Sequence, residues 1–508
     1  MTPRVLFAIG LVALGVGNAS LVQDLGCNQT SHYALVQSLA EGTSSIDAHH
    51  EQTCDKSYIN GHFYSSKPPG LAGLSLFPYM LLDGLGLIPS DDKIAIWLLA
   101  LLGATLPAII LVGLVWLVAV RSVEESVATV AALTFGMATL LLPFSSLYFA
   151  HALSALLGFG AFALVALTTQ RRRLLFVALA GLVAGLAVVV EYPVALVALG
   201  VGVYASVGVG WRARAAAYVG GLAVGVLPLL AFNRLSFGSV WTLSYENAVI
   251  NQGDTGHDVV GANESGIFGV TSPSFHAAVD LLLAPKGLLA SSPVLIPAVL
   301  GLFFLYRRGL RAEALVAGGL GLAFWLYNAA YQLPFGGDVP GPRFLVPALP
   351  FLALGLADAY RRLPVITLAL AAVSAGTVVV ATITQPMLDG QGVDRWTELA
   401  LSGDFTDSVL TLARLGNGPV AIAPTIIAFA ASSAVAVISW YRMSGVASRE
   451  GPQVVVALFA VFAWATVTIA SRSLLDSSLE RALLVALAAA AVGSVVLLQR
   501  RLSSWPVP

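Results

Sequence analysis

Apolar runs of about 20 residues recur along almost the whole chain, and they limit the fold more than any other feature. Inside a bilayer the backbone must satisfy its own hydrogen bonds, so only helices and closed barrels cross it. A run of about 20 residues has the length of a spanning helix, whereas a barrel strand needs only about ten. With 57% hydrophobic and 10% charged residues, the composition also excludes a water-soluble enzyme. The sequence therefore predicts an all-α polytopic membrane protein.

About 14 membrane-spanning helices are predicted. The first run follows Arg4 and could be a signal peptide, but no small-residue cleavage site closes it, so we interpret it as an uncleaved span. The predicted spans cover residues 5–22, 94–120, 127–145, 149–168, 174–190, 193–209, 215–232, 287–305, 314–331, 344–360, 364–382, 418–440, 453–470 and 482–499.

One further apolar stretch, residues 71–89, is short and contains Pro78 and Asp83. If it does not cross, 16 of the 26 Lys and Arg residues fall on one side of the membrane in short loops. Positive charge accumulates on the cytoplasmic side of membrane proteins. If the stretch did cross, the later arginine clusters would all face outward. We therefore predict an interfacial or re-entrant helix at 71–89 and place both termini in the cytoplasm.

The opposite face has a different composition. It holds 22 of the 27 Asp and Glu residues, all seven His, every Lys and both Cys, mostly in three long loops at about 23–93, 233–286 and 383–417. Loops of this length in a compact protein are usually functional or disordered, and aromatic residues run through these. We therefore predict an extracytoplasmic active site in a multi-pass protein of the cytoplasmic membrane. Residues 1–360 would form a catalytic module, and residues 361–508 a set of C-terminal helices.

Cys27 and Cys54 lie in the same outer loop. In an oxidising compartment they can form a disulfide that closes the loop, and this is the pairing we predict; two unpaired thiols are the alternative. No Cys/His spacing resembles a zinc site, and no close acidic pair is visible. The sequence therefore names no cofactor with certainty and leaves a divalent metal open.

The richest motif of the first outer loop reads Tyr-Ile-Asn-Gly-His-Phe-Tyr-Ser-Ser-Lys-Pro-Pro-Gly over residues 58–70. Further stretches accompany it: Phe-Ala-His-Ala-Leu at 149–153, a glycine-rich run ending in Glu-Tyr-Pro at 191–193, and Gly-Gly-Asp-Val-Pro-Gly-Pro-Arg-Phe-Leu-Val-Pro at 336–347. Over about residues 1–360, these motifs resemble the GT-C superfamily of integral membrane glycosyltransferases. The nearest likeness is the glycosyltransferase-39-like group, which includes protein O-mannosyltransferases and the lipid A aminoarabinose transferase.

The resemblance implies inverting transfer of a sugar from a polyprenyl-phosphate carrier to a glycan, lipid or protein acceptor on the outer face. Such a donor carries its own leaving group, so no nucleotide-binding fold is needed. The protein has to supply a carboxylate that deprotonates the acceptor and cations that stabilise the departing phosphate. A lipid-linked donor also explains a site at the membrane surface.

Two cations are the leading candidates for binding the donor phosphate. Lys67 matches the lysine of the family's Lys-Pro-Pro motif. Arg343 lies at the outer entrance of a predicted span, where a lone charge is costly unless it is used. Lys286 is placed similarly before another span, and His62 and Tyr64 lie in the same motif as Lys67. The alternative for the cations is an interfacial side chain that merely reaches water.

The catalytic base is less well marked. Relatives usually carry an acidic pair shortly after the first span, where this chain has the amides Asn28 and Gln29. Asp24 is the nearest acid and our first candidate, followed by Asp47 and Asp55. Each of them could instead be a solvated loop charge, which is the usual state of aspartate in a loop.

His151 and Glu191 lie at the ends of predicted spans. Ionisable groups at membrane depth are functional hypotheses by default. We therefore predict that both face the cavity and bind the sugar, the phosphate or a phosphate-linked metal. The alternatives are an interfacial histidine bonded to a backbone carbonyl, and a glutamate that caps a helix end beside Pro193.

Two other functions stay open. A transporter or flippase for lipid-linked saccharides would be expected to have two similar halves, and the sequence has no visible internal repeat. A polysaccharide polymerase or ligase usually depends on a large outer loop late in the chain, whereas the densest polar loop here is the first. Membrane lipids are predicted partners, and a net charge of −1 gives no indication of a nucleic-acid partner.

Overall fold

The computed structural model describes residues 1–168, 173–251, 258–260, 266–388, 391–443 and 450–473. Several features predicted from the sequence lie outside these residues, namely the last span, 482–499, and five arginines predicted to be cytoplasmic, Arg171, Arg172, Arg449, Arg500 and Arg501.

α-Helices form most of the described chain. In chain order they are α1 (Pro3–Ala19), α2 (Cys27–Ala40), α3 (Gly70–Gly84), α4 (Asp92–Ala100), α5 (Leu106–Ala119), α6 (Glu125–Met137), α7 (Leu141–Phe144), α8 (His151–Ala166), α9 (Arg173–Val190), α10 (Ala195–Ser206), α11 (Trp211–Phe237), α12 (Phe275–Leu283), α13 (Leu288–Ser291), α14 (Leu295–Arg307), α15 (Arg311–Ala330), α16 (Leu349–Arg362), α17 (Pro364–Ile383), α18 (Val393–Ser402), α19 (Val409–Leu412), α20 (Gly418–Tyr441) and α21 (Glu450–Ser473). A π-helical stretch, Leu101–Thr105, joins α4 to α5, and the 3₁₀ turn Arg343–Ala348 leads into α16.

The strands are short and form three antiparallel pairs among the described residues. In chain order they are β1 (Leu21–Val22), β2 (Lys56–Ile59), β3 (His62–Ser65), β4 (Val249–Asn251), β5 (Asp258–Val260) and β6 (Asp407–Ser408). β2 pairs with β3 and β4 with β5, while β1 pairs with β6 and so joins the end of the first span to the loop after α18.

The predicted fold class, an all-α polytopic membrane protein, is confirmed. Six helices of the described chain are long and apolar enough to cross a membrane, and the bent pair Phe275–Ser291 and Leu295–Arg307 adds a seventh if it counts as one span. Five shorter apolar helices accompany them. The count of 14 spans stays a prediction.

Glycines allow α9 and α11 to pack with their backbones in contact. Gly181 and Gly185 on α9 face Gly221 and Gly225 on α11, and a Cβ on any of the four would overlap the backbone of the other helix. Small residues four apart are the usual means of close helix packing in membranes. This contact fixes the position of α9 and hence of the chain that follows its last residue, Val190.

The first outer loop begins and ends on the same side of the bundle. Lys93, at the start of α4, places its Nζ 2.8 Å from Oδ1 of Asp24, just beyond α1. Trp97 donates a hydrogen bond from Nε1 to the carbonyl of Ala19 at 3.1 Å. α3 therefore does not cross the bundle, in agreement with the interfacial or re-entrant helix predicted at 71–89.

The arginine-rich loops meet at the other end of the bundle. Arg308, after α14, places its Nη2 3.2 Å from Oγ of Ser122, between α5 and α6. Arg4, at the start of α1, forms an ion pair of 2.7 Å with Glu125, at the start of α6. The helix ends joined by these contacts are the ones that the charge pattern predicts to face the cytoplasm. We call them the arginine end.

Candidate active site

A tight turn in the first outer loop sets the register of the hairpin on which the site is built. Asn60 and Gly61 both have positive φ, 53° and 88°, which is the geometry of two-residue Asn-Gly hairpin turns. The turn pairs Lys56 of β2 with Ser65 of β3. Antiparallel pairing then brings the residue before β2 next to the residues that follow β3.

Asp55, directly before β2, is held at three points. Cys54 forms a disulfide with Cys27, the first residue of α2, with a Cα–Cα distance of 5.3 Å. Ser31, one turn into α2, donates a hydrogen bond to the backbone carbonyl of Asp55. The backbone N–H of Ser66, after β3, donates to the same carbonyl at 3.3 Å. The disulfide and the hairpin together therefore fix the position of this carboxylate.

Asp55 and Lys67 form an ion pair, with Lys67 Nζ 2.7 Å from Asp55 Oδ2. The Lys67 side chain is 7% exposed, whereas that of Asp55 is 34% exposed, so the carboxylate keeps access to solvent. Burial alone would raise the pKa of Asp55, but the charges of Lys67 and then Arg343 outweigh burial, and the pKa is lowered. Burial lowers the pKa of Lys67, and Asp55 offsets this only in part. A further anion would therefore stabilise the Lys67 ammonium.

Arg343 is buried and forms no ion pair with a carboxylate of the described chain, although Asp55 and Glu191 lie near enough for its charge to act on them. The Arg343 side chain has neither a hydrogen bond nor an ion pair within the described parts of the chain, and its Nε is fully buried. The residue is 8% exposed, and its guanidinium lies over the ring of Phe344 with Cζ 4.8 Å from the centroid. Gly336, at φ +89°, approaches so closely that a Cβ there would overlap the Arg343 side chain. A buried cation in this state is strongly stabilised by an incoming anion.

Lys286 supports the loop that leads to Arg343. Its Nζ donates to the carbonyls of Gly337 at 3.1 Å and of Leu388 at 3.3 Å, and it lies 5.5 Å from the ring centroid of Phe335. The backbone N–H of Arg343 in turn donates to the carbonyl of Phe335 at 3.4 Å. These contacts assign Lys286 to the support of the loop, and its binding of the donor phosphate stays a prediction.

A second buried acid lies where α8 begins and α9 ends. Nδ1 of His151, the first residue of α8, lies 2.6 Å from Oε1 of Glu191, and Ser154 Oγ donates to Oε2 of Glu191 at 2.7 Å. His151 Nε2 is buried and has no hydrogen-bond partner among the residues that the structure describes. His151 therefore contacts Glu191 closely through Nδ1, while its Nε2 is unused within the described chain.

Electrostatic interactions join these groups into one cluster. The charges of Asp55, Arg343 and Glu191 all act on Lys67, and those of Glu191, Arg343 and Lys67 act on His151. The first outer loop, the start of α8, the end of α9 and the approach to α16 therefore bring their charged groups together in one cluster. Within the described chain, no group of three or more His, Cys, Asp or Glu side chains is arranged to hold a metal ion.

His32, on α2, belongs to the same cluster, although no motif in the sequence marks it. Its side chain is buried, and its Nδ1 has no hydrogen-bond partner in the described chain. Burial, followed by the charge of Lys67, lowers the pKa of His32 to about 3, so the imidazole is neutral near pH 7. The only sequence signal for it is its place in the helix that the Cys27–Cys54 pair would hold.

Asp24, the first candidate for the base, lies away from this cluster. Its Oδ1 is 2.8 Å from Lys93 Nζ, and its side chain is 60% exposed. The same Lys93 nitrogen is 2.6 Å from Oδ2 of Asp407. Lys93 thus links the end of the first span to β6, and the position of Asp24 fits a connection between two outer loops. Among the three sequence candidates, the structure places Asp55 beside the cations.

Three other candidates stabilise the hairpin and its surroundings. Asp47 accepts a hydrogen bond from the backbone N–H of Phe63 at 2.7 Å, and its other oxygen lies 2.7 Å from His62 Nδ1. Tyr64 donates from its hydroxyl to the carbonyl of Ser236 at 3.0 Å. The structure therefore does not bring Asp47, His62 or Tyr64 into contact with the Asp55–Lys67 pair.

Comparison with solved structures gives matches to two membrane glycosyltransferases. ArnT from Cupriavidus metallidurans matches in the apo state (15% identity, TM-score 0.47, 86% of this chain and 76% of that chain) and bound to undecaprenyl phosphate (14%, 0.48, 93% and 80%). The oligosaccharyltransferase AglB from Archaeoglobus fulgidus, in complex with an inhibitory peptide and a dolichol-phosphate, matches at 14% identity and a TM-score of 0.40. That match covers 85% of this chain and 56% of AglB.

Both matched proteins are GT-C membrane glycosyltransferases, the superfamily that the sequence motifs resemble. No family model matches the sequence, and no curated protein matches it. At these identities and TM-scores the matches carry no argument about activity, which has to rest on the residues of the charged cluster.

Proposed function

We propose that the chain is a glycosyltransferase that moves a sugar from a polyprenyl-phosphate donor to an acceptor hydroxyl. The observation that carries this proposal is the accessible carboxylate of Asp55, which is paired with the buried Lys67 beside the buried and unpaired Arg343. This set provides what the reaction needs: a proton acceptor and two cations for an anionic leaving group.

Phosphate binding and base activation are coupled in this arrangement. Arg343 has free donors for a phosphate, and its planar guanidinium suits two parallel hydrogen bonds to phosphate oxygens. A bound phosphate also attracts the Lys67 ammonium, which otherwise neutralises Asp55. As Lys67 turns toward the phosphate, the carboxylate loses the cation that lowers its pKa. Donor binding therefore makes Asp55 a stronger base at the moment when it is needed.

The reaction is a single displacement at the anomeric carbon. The acceptor oxygen forms a bond to that carbon while its proton passes to the Asp55 carboxylate. The bond from the anomeric carbon to the phosphate oxygen breaks, and the polyprenyl phosphate leaves with one more negative charge than the donor carried. Arg343 and Lys67 stabilise that charge as it develops. Attack opposite to the leaving group inverts the anomeric configuration.

The surroundings of Lys67 suit a donor that is anchored in lipid. α3 begins three residues after Lys67, and its exposed stripe of apolar side chains includes Leu74, Phe77 and Leu81. These positions recur at helical spacing, so they lie on one face. An apolar face next to the phosphate site gives a hydrocarbon chain a path along the protein surface. Because the arginine end is predicted to be cytoplasmic, we place the reaction on the extracytoplasmic face of the cytoplasmic membrane.

A transfer assay with purified protein tests the proposal. A panel of polyprenyl-phosphate-linked sugars is supplied with cell-envelope extract as the acceptor, and release of polyprenyl phosphate is measured. Lys67→Ala and Arg343→Ala should each reduce turnover by about 10²–10³-fold, the usual effect of removing a donor to developing charge. Arg311→Ala, which removes an exposed arginine at the arginine end, is the matched control and should stay near wild type.

Near-wild-type turnover of both variants would overturn the proposal. Binding of the lipid without any release, across the whole panel, would instead favour the transporter or flippase.

A further inference from the structure

An aromatic cluster adjoins Arg343 and has no role in the function proposed so far. The rings of Tyr327 and Tyr331 are stacked, with centroids 6.2 Å apart and an interplanar angle of 6°. Both stand perpendicular to the Phe344 ring, at 5.8 and 5.4 Å. Phe344 is the ring over which the Arg343 guanidinium lies. Tyr245 also bonds through its hydroxyl to that of Tyr331. The aromatic surface is therefore continuous with the unpaired cation.

Tyr327 lies on the inner face of α15. It follows Leu320 by seven residues and Phe324 by three, and both of those side chains are buried. The lipid-exposed positions of the same helix, such as Leu322 and Leu326, lie on the other side. The accessible surface that Tyr327 retains therefore faces the interior of the bundle.

The hydroxyl of Tyr327 is also unused within the described chain, where it makes no hydrogen bond. The charges of Glu191 and Arg343 both act on it, so it lies near the buried acid and the unpaired cation. Phe324, one turn earlier, shows the contrast, since it is completely buried as a core side chain should be. Tyr327 thus presents a ring and a free hydroxyl on the inner face of α15, next to the Phe344 ring that contacts Arg343.

We propose that Tyr327, backed by Tyr331 and Phe344, forms the wall on which the ring of the transferred sugar stacks. This inference rests on the proposed function, because it takes the donor phosphate to lie at Arg343. The anomeric carbon is bonded to that phosphate, so the sugar ring lies directly beside it. The C–H face of a sugar packs on an aromatic ring, while its hydroxyls can bond to the Tyr327 hydroxyl and to the remaining lone pairs of Glu191.

Equilibrium binding of two probes isolates the sugar contact. One probe is decaprenyl phosphate, and the other is the same lipid with a single sugar, either mannose or arabinose, on its phosphate. Binding of each probe is measured in detergent to the wild type, Tyr327→Leu and Tyr327→Phe. Tyr327→Leu should weaken binding of the sugar-bearing lipids about tenfold, as expected for loss of an aromatic contact and a hydroxyl. Binding of decaprenyl phosphate should stay within about twofold. Tyr327→Phe, which keeps the ring, should retain most of the affinity for the sugar-bearing lipids.

The outcomes separate this inference from the proposed function. If the wild type binds the lipids but Tyr327→Leu affects both probes equally, or neither, the sugar wall is refuted while the phosphate site stands. If the wild type binds neither probe, the proposed function fails and the sugar wall with it. The retained affinity of Tyr327→Leu for decaprenyl phosphate reports that the variant is folded.

Discussion

One carboxylate and two cations lie at each end of one buried helical unit, but the two sets are paired differently. The unit runs from Arg343 to Arg362, and its two ends are about 30 Å apart. At the arginine end, Asp358 is 2.9 Å from Arg308 and 3.3 Å from Arg361, so the carboxylate bonds to both cations. At the other end, Asp55 bonds to Lys67 alone, and Arg343 is left over.

This difference separates a structural cluster from a binding site. The Asp358 side chain is 3% exposed and bonds to both Arg308 and Arg361, so the buried carboxylate is balanced by cations that contact it directly. The Asp55 side chain is 34% exposed, and its neighbour Arg343 is buried and forms no ion pair within the described chain. Burying an unpaired charge lowers the stability of the fold, so such a charge is usually retained because it has a function. The comparison therefore points to the Asp55 end as the place where an anion binds.

The arginine end does contain a cavity, of about 590 Å³. Its lining includes Arg121, Arg361 and Arg362, but also Glu124, which offsets part of their charge. Arg361 is already bonded to Asp358. Size alone is a weaker guide than an unpaired buried cation, so we do not place the active site there.

The largest expected effect concerns the base at the Asp55 end. Asp55→Asn should reduce turnover by about 10²–10⁴-fold, because an amide has nearly the same shape but accepts no proton. Binding of the donor should persist, since Lys67 and Arg343 remain. Asp24→Asn and Asp47→Asn are the matched controls and should keep most of the activity. If Asp24→Asn is inactive while Asp55→Asn stays active, the base is Asp24, the first candidate from the sequence, and not Asp55.

The arginine end should respond in stability and leave turnover intact. Arg308→Ala removes one of the two partners of the buried Asp358 and should lower the free energy of unfolding by about 2–3 kcal/mol. Turnover per folded molecule should stay within about twofold of wild type. Unfolding in detergent and the transfer assay give the two readings. If Arg308→Ala instead loses most of its turnover and keeps its stability, the arginine end takes part in the reaction and the proposed difference between the two ends is wrong.

Loss of the disulfide should reduce both stability and turnover, because the disulfide holds Cys54, the residue next to Asp55. Cys27→Ser should lower the free energy of unfolding by about 3 kcal/mol, given a loop of 27 residues. Cys54→Ser and the double variant should behave in the same way. Thiol labelling checks the bond directly: the oxidised protein should take up no label, and the reduced protein should take up two. Labelling of both cysteines without reductant would contradict it.

The smallest effect is in the pH dependence of stability. The pKa of Asp55 is lowered in the folded protein, chiefly because Lys67 and Arg343 outweigh the effect of burial. A carboxylate whose pKa is lowered by folding raises the free energy of unfolding at pH values above its pKa in the unfolded chain, near 4. This contribution is lost as the pH falls toward its pKa in the folded protein. The stability gap between wild type and Asp55→Asn should therefore be constant above about pH 5 and narrow below about pH 4. A gap that widens in acid would mean that the pKa is raised.

The sequence predicted the helical membrane fold and the two phosphate-binding candidates for different reasons. The spans follow from the length of the apolar runs, which hardly depends on tertiary contacts. Lys67 follows from a motif, and Arg343 from a lone charge at a span end. Lys67 and Arg343 could therefore both be selected from the sequence alone, although the binding of phosphate by either residue stays a prediction.

Choosing among Asp24, Asp47 and Asp55 needed contacts that sequence spacing does not give. The register of β2 against β3 puts Asp55 beside Lys67, and the Asn-Gly pair at 60–61 is the local sequence signal for that register. Lys93, which bonds to Asp24, lies almost 70 residues away in sequence. No local pattern predicts such a partner.

Binding of decaprenyl phosphate tests the central claim most directly, because it needs neither the right sugar nor the right acceptor. The affinities of wild type, Arg343→Ala and Arg308→Ala are compared in the same detergent. We predict that Arg343→Ala weakens binding about 10–100-fold, the effect of losing hydrogen bonds to a charged group. Arg308→Ala, its counterpart at the arginine end, should bind as wild type does. Wild-type affinity in Arg343→Ala, or an equal loss in both variants, would contradict the account.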